Sequence, residues 1–303
     1  MSDEERQTRA GFGFGLSAYL FWGVVPLYFK LLDHVGAFEI VAHRIAWALP
    51  LLLVLVLFAR QLGGLLAALR DPAIMRALAL SSVLIAINWT IYIWAVIHEQ
   101  ILAASLGYFL NPLVSVLLGV VVLKERLRRW QLAAITLAGA GVAVLATGAL
   151  DTLWISITLA LSFGTYGLVR KVTPVTAIQG LTIETAVLFA PSLGWIAWVA
   201  SRGEMGFGAD AGTDALLILG AAVTALPMLL FAAAARRLKL STLGLLQYVA
   251  PSLQFAIGAF VFGEPLSAAR IACFALIWAG LLLFTADSLR AAQAERKVAR
   301  SVA

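Results

Sequence analysis

The sequence has few charged residues. Asp, Glu, Lys and Arg make up 13% of the 303 residues, whereas hydrophobic residues make up 62%. A soluble domain carries about 25% charged residues. So few charges cannot cover a surface that faces water, which excludes an ordinary soluble protein and indicates one whose solvent is lipid.

Cysteine and histidine are also scarce, with one Cys and three His in the chain. The single cysteine, Cys273, excludes a disulfide framework and a Cys-based metal site. The sequence has no His-Glu-x-x-His motif and no evident Ser–base or Asp-pair arrangement, which argues against an intramembrane enzyme. It also has no GxxxxGK[ST] loop, which excludes ATP-driven transport within this chain. We therefore predict no enzymatic activity, no metal and no cofactor.

The net charge of +6 does not indicate a nucleic-acid partner. The charges lie in short gaps between apolar runs, and no basic helix or aromatic-basic platform of the kind that nucleic acid needs is visible. The predicted partners are the lipid bilayer and a small-molecule substrate.

Long apolar runs fill most of the chain, and they are close to or above the roughly 18 residues expected of a membrane span. Backbone polar groups in lipid must be paired within each segment, so we expect the runs to be helices. No small-residue cleavage site follows the first run, which predicts an uncleaved span. The sequence predicts an all-α membrane protein of ten transmembrane helices, at about 11–29, 37–59, 73–97, 101–123, 130–148, 153–169, 175–200, 212–235, 240–262 and 267–286.

The distribution of Lys and Arg predicts the orientation. With a cytoplasmic N-terminus, all of the 22 Lys and Arg residues except Lys30, Arg44, Arg202 and Arg270 fall in cytoplasmic segments. Positive residues are enriched in cytoplasmic loops. Both termini are therefore predicted to be cytoplasmic.

The chain also contains an internal repeat, visible as matched residues at constant offsets. Pairs separated by 139 positions are Pro112 with Pro251, Glu125 with Glu264, and Gly141 with Gly280. Pairs separated by 141 positions are Gly23 with Gly164, Lys30 with Lys171, and Pro50 with Pro191. They divide the chain into two predicted five-helix repeats, residues 11–148 and 153–287.

An odd number of spans in each repeat means that the second repeat enters the membrane from the opposite side. Inverted repeats are typical of secondary transporters, whose substrate site lies between the halves and whose halves rock against each other. We therefore expect a secondary carrier that works by alternating access.

Several segments carry a resemblance to a known family. They include FWGVVPLYFK (21–30), AHR (42–44), ASLGYFLNP (104–112), STLGLLQYVAP (241–251) and FGEP (262–265). The sequence closely resembles the RarD branch of the drug/metabolite transporter superfamily, and Glu125, Gln131 and Gly141 resemble the end of an EamA domain. The resemblance implies a ten-helix carrier of the bacterial inner membrane, in a branch named for an association with chloramphenicol sensitivity.

Three ionisable residues inside the predicted spans are candidates for the chemistry. Arg44 is a candidate for binding an anionic group of the substrate, such as a carboxylate; the alternative is a structural pair with Glu39, Asp33 or a backbone carbonyl. His43 and Glu184 are candidates for proton coupling, and they occupy equivalent positions in the two repeats. The alternatives are an amphipathic histidine at the outer interface and a glutamic acid that ties helices together.

Further candidates are polar, aromatic or helix-breaking residues. The predicted substrate-binding residues, besides Arg44, are Asn88, Trp89, Tyr92, Tyr108, Asn111, Gln247 and Tyr248. The predicted helix breaks or hinges are Gly107, Pro112, Gly244 and Pro251. Structural kinks without substrate contact are the alternative for this second set. Glu125 and Glu264 are predicted to be structural, at water-facing helix ends, with Glu264 paired to Arg270.

Other functions remain as alternatives at this point. One is an amino-acid or organic-acid exporter or exchanger without proton coupling, and another is a membrane receptor or structural protein that transports nothing. Each half can complete the cavity with the other, so a monomer is favoured over a dimer.

Overall fold

A computed structural model describes residues 3–124, 129–148, 150–235, 237–238 and 246–302, and these residues form helices without any strand. The helices are α1 (Asp3–Lys30), α2 (Ala37–Phe58), α3 (Leu62–Arg70), α4 (Pro72–Ile97), α5 (Ile101–Leu123), α6 (Arg129–Gly148), α7 (Leu150–Val172), α8 (Ala177–Ser201), α9 (Ala211–Ala235), α10 (Val249–Ala256) and α11 (Ala268–Val302). A π-helical turn, Ile257–Val261, follows α10. Glu125 and Gly244 lie outside the described residues.

Eight helices in the described ranges are long and apolar enough to cross a membrane: α1, α2, α4, α6, α7, α8, α9 and α11. Two shorter apolar segments, Ile101–Val114 and Val249–Val261, accompany them. The prediction of an all-α, multi-pass membrane protein is confirmed. The count of ten transmembrane helices stays a prediction.

Local signals fix where several helices begin and end. Asp71 accepts hydrogen bonds from the backbone N–H groups of Ala73 (2.8 Å) and Ile74 (3.2 Å), and Pro72 occupies the first position of α4. Thr176 and Gln179 form a capping box at the start of α8. Such caps satisfy N–H groups that have no partner within the helix.

Glu264 caps a helix from a distance, which corrects one prediction. Its carboxylate accepts hydrogen bonds from the backbone N–H groups of Ile101 (2.5 Å) and Leu102 (3.0 Å), the first residues of α5. The predicted partner, Arg270, instead donates to the carbonyl of Pro265. Glu264 is buried rather than water-facing, and this burial raises the pKa of its carboxyl group. Glu264 therefore joins the loop before α11 to the start of α5.

The most extensive helix contacts join the first predicted repeat to the second. Helix α2 packs against α8 and α9, α4 packs against α7 and α8, α1 packs against α9 and α10, and α5 packs against α7 and α10. Helices α6 and α11 pack against each other. Helices α2 and α8 contact each other, α2 also contacts α9, and α8 also contacts α4. We call this region, where the two predicted repeats meet, the seam.

Proline shapes the contact between α1 and α10. Pro26 has no N–H, so it leaves the carbonyl oxygen of Trp22 without its helical partner. Gln254 supplies the missing donor, through a 3.1 Å hydrogen bond from its side-chain amide to that oxygen. In contrast, α5 continues as one helix through Gly107 and Pro112. Pro251 lies in the first turn of α10, after a turn at 247–248.

Candidate functional site

Arg44 is a residue of α2, and its guanidinium lies against aromatic rings of α1 and α4 and a hydroxyl of α9. The guanidinium carbon is 4.3 Å from the ring centroid of Trp89 and 5.9 Å from that of Phe29. Its Nε donates a hydrogen bond to the hydroxyl of Thr224 on α9. A charge within a span costs about 2.5–3.5 kcal/mol on insertion scales, and aromatic faces and hydroxyls offset part of that cost.

A second set of predicted residues lies next to this arginine. The Tyr108 hydroxyl donates a 3.1 Å hydrogen bond to the Asn88 side-chain oxygen, and the Tyr92 and Tyr108 ring centroids are 5.4 Å apart. Tyr92 belongs to the same hydrophobic cluster as Phe29, which contacts Arg44, and Trp89 and Tyr108 pack against that cluster. The structure thus brings together Arg44, Asn88, Trp89, Tyr92 and Tyr108.

Asn88 is more tightly held than a pore-lining residue needs to be. It is 1% exposed, and its amide nitrogen donates to the carbonyl of Leu159 (3.2 Å) and the hydroxyl of Ser162 (3.1 Å), both on α7. With Tyr108 as a third partner, the side chain ties α4 to α5 and α7. We infer that Asn88 positions Tyr108 and presents little surface of its own to a solute.

His43 and Glu39 form a structural unit at the start of α2. The Glu39 carboxylate accepts hydrogen bonds from the backbone N–H groups of Gly206 (2.8 Å) and Phe207 (3.1 Å) in the loop between α8 and α9. The His43 ring stacks on Phe207 at 4.8 Å, and its Nε2 is 3.9 Å from the Glu39 carboxylate. The two side chains therefore hold this loop against α2.

Glu184 lies at the junction of α4, α7 and α8, within a buried polar network. Its carboxylate accepts hydrogen bonds from the hydroxyls of Ser81 (2.6 Å) and Tyr166 (3.3 Å), and the Arg170 Nε is 3.6 Å away. Glu184 is 1% exposed, whereas the Arg170 side chain is 15% exposed. The proton-coupling candidate is therefore part of an ion pair in this structure.

The candidates on the second half lie elsewhere. Tyr248 packs against a hydrophobic cluster that includes Phe255 and Phe274, and it lies near Gln247. Among the bonds and ring contacts of the described residues, none joins Gln247, Tyr248 or Asn111 to the group around Arg44. A narrow cleft beside Cys273 has a volume of about 10 Å³, room for at most one water molecule.

Sequence reasoning did not identify the partners of the two charged residues. Thr224 carries the one hydroxyl in the apolar stretch 215–235, and this pattern points to it. Tyr166 and Arg170 are four residues apart and share a face of α7. Arg170 follows the predicted apolar run at 153–169, and its Nε lies 3.6 Å from the Glu184 carboxylate.

Comparison with known proteins identifies the family. A model of the EamA-like transporter family matches residues 9–147. Protein RarD of Streptomyces exfoliatus is 45% identical over 293 residues, which cover 96% of this chain and 93% of that protein. This chain belongs to the RarD branch of the drug/metabolite transporter superfamily.

Two other proteins are similar to this chain. A Bacillus subtilis protein named uncharacterized transporter YojE is 42% identical over 95% of this chain and 97% of its own. A crystal structure of a protein at 21% identity has a TM-score of 0.56 and covers 93% of this chain and 98% of its own, which shows a shared fold. The chain is a multi-pass membrane transporter, and its family indicates transport rather than catalysis.

Proposed function

We propose that this RarD-branch protein is a secondary-active carrier that moves one small organic solute across the bacterial inner membrane by alternating access. The carrier consists of two inverted repeats, residues 11–148 and 153–287, and it acts as a monomer. A reciprocal set of close helix contacts, at the same offsets as the sequence repeat, carries the proposal.

The first reciprocal contacts join each half's first helix to the other half's fourth span. A Cβ atom placed on Gly23 of α1 would lie 2.6 Å from Leu253 of α10. A Cβ atom placed on Gly164 of α7 would lie 2.6 Å from Val114 of α5. The two glycines are 141 positions apart and their partners are 139 apart, so each contact is the counterpart of the other.

The second reciprocal contacts join α6 to α11. A Cβ atom on Gly141 would lie 3.0 Å from the carbonyl oxygen of Cys273, and one on Gly280 would lie 2.9 Å from that of Ala134. Here both the glycines and their partners are 139 positions apart. Small residues let helix backbones approach closely in membranes. The repeat therefore has a spatial counterpart, which supports a two-fold relation between the halves.

The two halves differ in charge at equivalent helix crossings. Arg44 contacts α9 where α2 crosses it, and Glu184 contacts α4 where α8 crosses it. Different side chains at equivalent positions of two related repeats suit a carrier. One set can bind the solute, while the repeats rock against each other between inward-open and outward-open states. We assign solute binding to the Arg44 group and coupling to Glu184.

Transport by purified protein in liposomes tests the proposal. Radiolabelled amino acids, organic acids and amphenicols are offered to proteoliposomes preloaded with the same unlabelled solute, with protein-free liposomes as the control. We expect at least one solute to be taken up transiently above its equilibrium level, since only a carrier that alternates between two sides produces counterflow. A channel would give equilibration only, and a receptor would give no uptake; either result would contradict the proposal.

An imposed pH gradient separates the two coupling modes. If protons drive transport through Glu184, an inward proton gradient should stimulate uptake by the natural protein and not by the Glu184→Gln variant. If the pH gradient changes uptake by neither protein, proton coupling is rejected. The carrier is then an exchanger without proton coupling.

A further inference from the structure

The terminal amino groups of Arg44 have no hydrogen-bond acceptor in the described part of the chain. Only its Nε is bonded, to the Thr224 hydroxyl. An arginine side chain stays charged in proteins and presents its terminal amino groups as a planar fork that matches a carboxylate. The fork of Arg44 is thus available to a bidentate ligand.

The acidic residues that sequence reasoning offered as partners are occupied elsewhere. Glu39 accepts hydrogen bonds from Gly206 and Phe207, and Asp33 lies 3.4 Å from the amine of Lys30. Glu184 is engaged by Arg170 and by two hydroxyls. Within the described ranges no carboxylate lies within 4.0 Å of Arg44, so the positive charge has no counter-ion of its own there.

A second orphaned group lies beside the arginine. Tyr92 is 6% exposed, and its hydroxyl has no hydrogen-bond partner among the residues that the structure describes. Tyr92 and Arg44 both lie against the Phe29 ring, whose centroid is 6.1 Å from that of Tyr92 and 5.9 Å from the Arg44 guanidinium carbon. A buried hydroxyl without a partner is rare in folded proteins and requires an explanation. Both groups lack an acceptor, and an anionic ligand would supply acceptors to both.

The surroundings of these donors are aromatic. The Trp89 and Phe29 rings lie 4.3 and 5.9 Å from the guanidinium carbon, and the Phe29 and Tyr92 ring centroids are 6.1 Å apart. Such walls suit the apolar body of a solute. They offer no negative charge to an ammonium group held beside the guanidinium.

We propose that Arg44 and Tyr92 bind the carboxylate of the transported solute, and that this solute is an organic monoanion with an apolar body rather than an amino acid. This inference rests on the proposed carrier function and adds the class of substrate. Arg44 holds the two carboxylate oxygens, and Tyr92 donates its O–H to one of them. An α-ammonium group lowers affinity, because it is repelled by the guanidinium and finds no acidic partner.

Matched triplets of solutes test the class. Purified full-length protein is titrated with a carboxylate, the amino acid of the same skeleton and the primary amide, with the shift in thermal unfolding as the readout. The carboxylates are 3-phenylpropionate, indole-3-propionate and 4-methylpentanoate, and the matching amino acids are phenylalanine, tryptophan and leucine. We expect, in at least one triplet, a dissociation constant for the carboxylate at least tenfold below those of its two counterparts.

Variants connect the selectivity to the residues. Arg44→Gln should raise the dissociation constant of the preferred carboxylate at least tenfold, Arg44→Lys should raise it less, and Tyr92→Phe should raise it about threefold. The matched control is Arg202→Gln, which removes an exposed arginine whose guanidinium carbon is 4.9 Å from the Trp198 ring centroid. The Arg202→Gln protein should bind the preferred carboxylate with the same dissociation constant as the natural protein. If Arg44→Gln does not fold, the dissociation constants of the Arg44→Lys and Tyr92→Phe proteins still test whether these two residues bind the carboxylate.

Three results would overturn the inference: no binding of any carboxylate, preference for the amino acid or amide, or unchanged affinity in both the Arg44 and Tyr92 variants. The carrier proposal fails separately. Binding of carboxylates without counterflow of any solute would reject the carrier and keep the site. Counterflow of amino acids with no binding of carboxylates would reject the monoanion and keep the carrier.

Discussion

At the scale of single residues, the charged side chains of Arg44 and Glu184 are accommodated in different ways. Arg44 rests on aromatic rings and a hydroxyl, whereas Glu184 is paired with an oppositely charged side chain. A buried ion pair contributes little net stability, but removal of one partner leaves an uncompensated charge. Removal of Arg170 and removal of Glu184 should therefore lower the stability of the protein by different amounts.

We predict that Arg170→Gln destabilises the protein by about 3 kcal/mol. Glu184, at 1% exposed, cannot reach water, so its charge would be left without compensation. Glu184→Gln should cost less, because the Arg170 side chain is partly exposed and lies within 3.4–3.5 Å of the carbonyls of Thr176 and Ala177. The midpoints of thermal unfolding in detergent measure both effects.

The double variant Arg170→Gln/Glu184→Gln provides the control. It should be more stable than Arg170→Gln alone, because no buried charge is then unpaired. If the two single effects simply add, the groups do not interact across the 3.6 Å that separates them, and the ion pair has no energetic role.

The sequence identified both charged residues of the seam, but not how each is satisfied. A charge within an apolar run is visible directly, because lipid excludes it unless it has a partner. The partner depends on which helices meet and on how far a long side chain reaches back from its helix end. Arg170 illustrates this limit, because it follows the predicted apolar run at 153–169 and is nevertheless paired with Glu184, which is 1% exposed.

At the scale of elements, small residues decide where helices touch. The glycines at matched repeat positions lie at contacts too close for a side chain, whereas other glycines on the same helices face open space. A Cβ on Gly13 of α1 or on Gly167 of α7 would meet nothing within 4 Å. Gly13 can therefore serve as the control position for Gly23 on α1, and Gly167 as the control position for Gly164 on α7.

We predict that Gly23→Ala destabilises the protein by about 1–3 kcal/mol, because the new methyl group overlaps Leu253. Gly13→Ala should be neutral or stabilising by up to about 1 kcal/mol, since alanine favours helix over glycine. Thermal unfolding in detergent compares the two. Leu253→Ala should restore part of the stability lost in Gly23→Ala. Equal effects of the two glycine substitutions would show that the α1–α10 contact is looser than the structure places it.

The short helix α3 marks the limit of element prediction. Its nine residues span about two turns, too few for a periodic pattern, and they lie in an interval treated as a connection. The long helices were predictable because the length of an apolar run alone requires them. Helix α3 is determined by tertiary contacts, in which Leu65 and Ala68 pack beside Leu78 and Ile183.

At the scale of the whole molecule, the order of helices along the chain was predictable and their pairing was not. The repeat offsets match Gly23 with Gly164 as equivalent positions, but only the structure shows that Gly23 lies against α10 and Gly164 against α5. Helix contacts in a membrane depend on the shapes of side chains, because lipid supplies no hydrophobic force between helices. The distribution of Lys and Arg predicts on which side of the membrane each helix end lies.

The two ends of α8 test this orientation. The chain has one cysteine, so a Cys273→Ala protein allows single cysteines to be placed at will. Ala177 and Ser201 are exposed residues at opposite ends of α8. We predict that, in intact cells, a membrane-impermeant maleimide labels the Ser201→Cys protein but labels the Ala177→Cys protein only after permeabilisation.

The physical reason is the position of the basic residues around α8. Arg170 and Lys171 precede Ala177, and cytoplasmic segments hold most of the chain's positive charge. If α8 crosses the bilayer, as its length and apolar composition predict, its two ends lie on opposite sides. The opposite labelling pattern would invert the whole protein, placing both termini outside. Labelling of both positions in intact cells would remove α8 from the membrane and, with it, the seam on which the carrier proposal depends.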